Sequence, residues 1–245
     1  MNTKDYYPIL LDGIKSECTV RRIVRGVSWT AAVLSDGRAG VAMFTAGDSF
    51  PRMTESLEGL PVAEAARAVL SWNLEEASEG LAVINAFYNR PERAEALGGF
   101  YTEGALAGVE LRDRTVGFVG HLVHHSGITE KLIVPARRVY ILEREPKPGD
   151  YPDSACEYLL PQCDVVVITG SAAINKTLPR LLELSRDAER VILTGPSVTL
   201  CPAVMDLGIH RLNGQAIVSV EPMLAAIVEK RTSVNAFSRH YTLDR

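Results

Sequence analysis

The chain has 245 residues, of which 47% are apolar and 23% charged. That excludes a disordered, collagen-like or coiled-coil protein and leaves room for one large domain or two small ones. Lys and Arg number 26 against 30 Asp and Glu, for a net charge of -4, so a nucleic-acid binder relying on a basic field is disfavoured. No apolar run is long enough to span a bilayer. The opening residues, Met1 to Pro8, lack the apolar core of a secretion signal, so a cytoplasmic location is expected.

The first third reads as short strands followed by helices. Thr19 to Val24, Ser28 to Leu34 and Gly40 to Phe44 are apolar or alternating runs. Asp36-Gly37 between the second and third is a hairpin signal, because glycine supplies the positive φ of a tight turn. Helical patterns follow from Pro61 to about Ser71 and from Leu74 to Tyr88. Residues 1–98 therefore predict a small α+β domain. Gly98-Gly99 and the stretch to Gly108 read as a connector.

Residues 108–245 predict a second domain in which strands and helices alternate. The strands are Thr115 to Val119, Val139 to Leu142, Val165 to Ile168, Val191 to Leu193 and Ile217 to Val220. They are continuous apolar runs, as parallel strands covered on both faces require. Helices are expected at Gly127 to Val134, Ser154 to Leu160, Leu178 to Arg186, Pro202 to Leu207 and Pro222 to Lys230. The tail after Lys230 carries no strong pattern. The fold class is α/β, a doubly wound Rossmann-like parallel sheet.

In such a sheet ligands bind beyond the carboxyl ends of the strands, so the candidate residues lie in those loops. After the first strand come Gly117 and Gly120, which let backbone approach a ligand; the full G-x-G-x-x-G fingerprint is absent. After the second comes Glu143, placed like a ribose-binding carboxylate. After the third comes the stretch Thr169, Gly170, Ser171, Asn175, Lys176 and Thr177, rich in small hydroxyl and amide groups, with Thr177 in position to cap the next helix. After the fourth come Gly195, Pro196 and Ser197, with Ser197 and Thr199 free to point at a pocket. His121, His124 and His125 follow the glycine turn. His121 and His125 would share a helix face at a spacing usable for metal, although the zincin signature is missing. The cysteines Cys18, Cys156, Cys163 and Cys201 form no C-x-x-C pair, so a structural zinc site and a disulfide scaffold are not expected.

Glu157 to Asp164 running into Val165 to Ser171, with Asn175-Lys176-Thr177-Leu178 and Thr194-Gly195-Pro196-Ser197, resembles a bacterial and archaeal family of unknown function named for heavy-metal chelation. The resemblance extends to Gly117 to Gly120, Glu143, Trp29 to Ala32, Ser35 to Gly37 and Gly80 to Ala86. It implies an N-terminal domain like that of enolase, a Rossmann-like C-terminal domain, and a site in the cleft between them. It also brings in Asn85, whose helix would face the C-terminal loops. The family name implies a metal or metal–chelator complex as ligand, so a metal ion is the cofactor expectation.

Together these features predict a cytoplasmic small-molecule-binding protein or enzyme with an interdomain cleft. Its partner would be a small anionic or metal-associated ligand, not nucleic acid or a membrane, and a homodimer is the default state. A nucleotide- or cofactor-sensing module without turnover is the alternative. An NAD-dependent oxidoreductase is disfavoured by the missing fingerprint.

Overall fold

The computed structural model describes residues 2–101, 104–125 and 127–245. Helix α1 (Tyr6–Asp12) precedes an antiparallel meander of β1 (Val20–Arg25), β2 (Trp29–Leu34) and β3 (Ala39–Met43). The predicted hairpin joins β2 to β3, and Gly37 takes φ +89° in its turn. The helix expected from Pro61 is shorter. It is α2 (Val62–Ala65), which tightens into a 3-10 turn over Ala66–Leu70.

Helix α3 (Leu74–Tyr88) occupies the predicted span. Asn73 caps it by accepting the Glu76 N–H at 3.0 Å. The helix lies very close to its neighbours because a glycine stands at each contact, Gly40 on β3 and Gly80 in the helix itself. A Cβ on Gly40 would sit 2.1 Å from the Ala86 nitrogen, and one on Gly80 would sit 2.1 Å from the Val69 nitrogen. Nearly every residue of α3 is consequently buried.

The alternation of β2 explains its burial on both faces. Ala32 and Leu34 pack with Leu81 and Ile84 of α3. Ala31 and Val33 pack with Met223, Leu224 and Ile227 on the opposite side. Those three residues belong to a helix near the C-terminus, α8 (Val220–Val228), so the late chain returns to cover the early sheet.

After α4 (Pro91–Ala96) comes β4 (Phe100–Tyr101), a short strand inside the stretch expected to be a connector. The second unit follows as β5 (Thr115–Val119), α5 (Glu130–Ile133), β6 (Arg138–Glu143), β7 (Tyr151–Pro152), α6 (Cys156–Leu159), β8 (Val165–Thr169), α7 (Leu178–Leu184), β9 (Arg190–Thr194), β10 (Arg211–Ile217), α8 (Val220–Val228) and β11 (Ser238–Asp244). The sheet order is β4-β11-β10-β9-β8-β5-β6-β7. From β7 to β10 every pairing is parallel. That is the doubly wound order, with strand progression reversing between β5 and β8. The mixed α/β fold with a Rossmann-like parallel sheet is therefore as predicted.

Two expectations at the C-terminal end are corrected. Ile217 to Val220 is not the fifth parallel strand: that strand is β10, and Val220 already opens α8. The apolar-run reading missed β10 because it buries polar side chains. Arg211 is held by Asp244 at 2.6 and 2.8 Å, and Asn213 donates to Thr242 and accepts from Thr194, each at 2.9 Å. Satisfied in this way, they tolerate full burial. The tail without a pattern is β11, which pairs antiparallel with β10 and carries Asp244 and Thr242 to those partners.

Candidate functional site

The reversal between β5 and β8 is where an open parallel sheet leaves a crevice at its carboxyl edge. Two turns meet there. Gly120, with φ +104°, ends β5, and a Cβ on it would lie 3.2 Å from Thr169 at the end of β8. The next pair of turns also touches. A Cβ on Gly170 would lie 2.7 Å from the Val198 nitrogen and 2.8 Å from the Ser197 carbonyl carbon. Glycine at these positions allows the turns after β5, β8 and β9 to sit side by side.

The predicted residues divide according to what their polar atoms already do. Gly120, Thr169 and Ser171 stay half-exposed at the crevice. The Thr169 and Ser171 hydroxyls are 3.0 Å apart and share one hydrogen bond, which leaves a second hydroxyl proton for another acceptor. Gly195, with φ +108°, and Pro196 are also half-exposed.

Ser197 and Asn85 instead join the two halves of the molecule. Ser197 Oγ accepts the Met43 N–H from the end of β3 at 2.9 Å. Asn85 donates to the Val41 carbonyl at 2.8 Å and accepts from the Thr199 hydroxyl at 2.6 Å. The expectation that Ser197 and Thr199 point freely into a pocket is corrected, since both are buried in this seam. Asn89, which the sequence did not single out, completes it by donating to the Val198 and Gln215 carbonyls and accepting from the Leu200 N–H at 2.7 Å.

Three further placements differ from expectation. Gly117 lies inside β5, away from the turn, and makes room for Cys163, whose Sγ would be 2.9 Å from an added Cβ. Glu143 is spent on the loops: its oxygens accept the His121 N–H at 2.8 Å and the Arg144 N–H at 2.7 Å. A carboxylate used this way fixes the turn after β5. Thr177 makes no capping bond to α7; its N–H and hydroxyl both go to the Asn175 side-chain oxygen, at 3.1 and 2.6 Å. Lys176, in the same turn, faces Tyr7 of α1.

The histidines do not share a helix face, because 120–125 is a succession of turns and the helix begins only at Glu130. His124, with φ +71°, points to Glu130 at 3.5 Å, and both side chains are exposed. His121 is different. Its Nδ1 lies 3.0 Å from Asp150 Oδ2, and that carboxylate, 5% exposed, also accepts the Lys147 N–H at 3.0 Å. The contact with Asp150 orients the ring, and in the neutral tautomer that donates Nδ1–H to the carboxylate the lone pair lies on Nε2. Asp150 carries no motif in the sequence. Only the fold brings the loop after β6 to the turn after β5.

The side chains do not fit a bare heavy-metal ion. Among the described residues no three of His, Cys, Asp and Glu gather. Soft metals favour thiolates, but burial pushes the Cys156 thiol up to about 11 and the Cys163 thiol up to about 12, and it also raises Cys201. Cys18 is hydrogen-bonded to Asp36 at 3.2 Å and to Arg38 at 3.4 Å. Two cavities of the surface lie elsewhere. One of about 230 Å³ is lined by Thr115, Arg137, Arg138, Tyr140 and Gln162, and one of about 480 Å³ by Glu95, Tyr101, Arg239 and Tyr241 among others.

The model of a family described as "Putative heavy-metal chelation" matches residues 106–243, and a second model with the same description matches residues 7–88. A crystal structure of a protein of unknown function from the first of these families, from Desulfitobacterium hafniense, is similar over 100% of this chain and 98% of its own, with 34% identity and a TM-score of 0.87. Another from that family, from Pyrococcus horikoshii, is similar over 100% of both chains at 18% identity, with a TM-score of 0.79, and shows the shared fold. An uncharacterized protein of Methanocaldococcus jannaschii is 27% identical over 180 residues, which is 71% of this chain and 68% of the relative.

Proposed function

The chain belongs to this heavy-metal chelation family, and from that premise we propose that it binds a small polar ligand, free or carrying a metal ion, at the carboxyl ends of β5 and β8. The observation that supports this most is the contact of the Gly120 and Thr169 turns at the strand-order reversal, next to an imidazole held by a buried carboxylate. The Thr169 and Ser171 hydroxyls supply donors and acceptors to oxygen groups of the ligand. His121 Nε2 supplies one nitrogen. One imidazole is too few to strip and hold a bare ion, so a metal would arrive as cargo with its own chelator.

Equilibrium dialysis with metal analysis tests the proposal. Nickel, copper and zinc are offered alone and as their citrate complexes, beside citrate itself. Citrate or a citrate complex should be retained by the wild type and lost, by about tenfold in affinity, in His121→Ala and in Thr169→Val. Retention of citrate or its metal complexes with undiminished affinity in a triple His121/His124/His125→Ala variant would refute the role given to His121.

A further inference from the structure

Arg90 and Arg93 are half-buried, and the Nε of each is shut off from solvent without a hydrogen-bond partner. Among the described residues neither guanidinium forms an ion pair. Arg90 immediately precedes α4, and Arg93 lies in its first turn. The Ala94 N–H donates to the Arg90 carbonyl at 2.9 Å, so the chain already turns helically here and residues three apart share one side. Arg93 Cζ sits 5.2 Å from the centre of the Tyr88 ring. Arg38 Cζ sits 5.7 Å from the centre of the Phe87 ring, and the two rings meet edge-to-face with centres 4.9 Å apart. Three guanidiniums therefore gather around the end of α3. Burial, then the charges of Arg38 and Arg93, push Arg90 below the ordinary arginine value.

The chain supplies little to offset that charge. Asp36 is bonded to Arg38. Glu92 is exposed and bonds to neither Arg90 nor Arg93. Buried donors are paired in the great majority of cases, so two orphans three residues apart call for an acceptor from outside the chain. A water would satisfy a donor but would not neutralise two uncompensated guanidiniums. A dianion does both, and the fork of an arginine matches a pair of phosphoryl oxygens. We propose that Arg90 and Arg93 bind a dianionic oxyanion, the phosphoryl group of free phosphate or of a small phosphate monoester, at the junction of α3 and α4, with Arg38 adding to the positive field. None of these residues belongs to the crevice of Gly120 and Thr169, so this site does not rest on that reading.

The full chain is titrated calorimetrically at pH 8 with phosphate and with glycerol 3-phosphate, against chloride of matched ionic strength. Both should bind the wild type. Arg90→Met and Arg93→Met keep an apolar stem and remove the donors, and each should weaken binding by at least about tenfold. Arg138→Met, in the cavity of Arg137 and Arg138, should leave it unchanged. Tighter binding of the ester assigns the site to a phosphate monoester, and tighter binding of phosphate assigns it to the free anion. A second measurement uses only the wild type. Phosphate should shield Arg90 and Arg93 from phenylglyoxal, while the exposed Arg21 and Arg231 react as before; peptide mass spectrometry reads each site. No heat beyond the chloride blank would overturn the proposal. So would undiminished affinity in both the Arg90 and Arg93 variants, or phenylglyoxal reaction at Arg90 and Arg93 that phosphate does not slow.

Discussion

Asn85 and Thr199 meet across the seam between α3 and the turn after β9, and a double-mutant cycle on that pair measures what the seam contributes. Asn85→Ala leaves two buried groups without partners, the Thr199 hydroxyl and the Val41 carbonyl. Each such loss costs about 1–3 kcal/mol, so the substitution should cost roughly 2–6 kcal/mol. For a chain of this size that lowers the melting temperature by about 5 °C or more. Thr199→Val keeps the volume but removes the donor to Asn85, at about 1–3 kcal/mol. In the double variant the Thr199 hydroxyl is no longer stranded, so the combined loss should fall short of the sum by about 0.5–3 kcal/mol. Urea denaturation of the four proteins gives each value, provided that the unfolding slopes agree. Losses that add to within about 0.5 kcal/mol would mean that the pair is not coupled, and the account of how the turn after β9 is positioned would fall.

Gly170→Ala drives a Cβ into the backbone at Ser197 and Val198, which cannot swing aside, and should destabilise by about 1–3 kcal/mol in thermal melts. Iodoacetamide at pH 8 on the native protein should modify Cys18 first and leave Cys156 and Cys163 untouched, since burial raises both of those thiols to about 11 and 12; peptide mapping reads the order. Lys176 is depressed to about 8 from an ordinary 10.5, so between those values the unfolded chain binds more protons and stability rises with pH. The penalty is fully present below pH 8. Lys176→Met should therefore gain most over the wild type below pH 8, with the gap in urea midpoints narrowing towards pH 10. The difference between the two proteins cancels the contribution of Tyr7, the titratable neighbour. A gap that widens with pH would contradict the assignment.

The parallel strands were legible because the centres of β5, β8 and β9 are unbroken apolar runs, and the β2–β3 hairpin because Asp36-Gly37 marks its turn. β10 was not, because Arg211, Asn213 and Gln215 are acceptable in a core only once Asp244, Thr242 and Ser238 of β11 arrive from some 23 to 33 residues away. The turns that meet at the strand-order reversal were legible from glycine placement. What their side chains do was not, since small polar residues look alike whether they face a ligand or lock two halves together. Asn85 and Ser197 turned out to be locks. Asp150, one acid in a charged loop, gained its significance only through contact with His121.

A crystal of the protein purified without added ligand from its own cells tests the central claim most directly. The account predicts density for a small molecule touching Thr169, Ser171 and the Nε2 of His121. Density confined to the cavity of Arg137 and Arg138, with the turns after β5 and β8 bare, would contradict it.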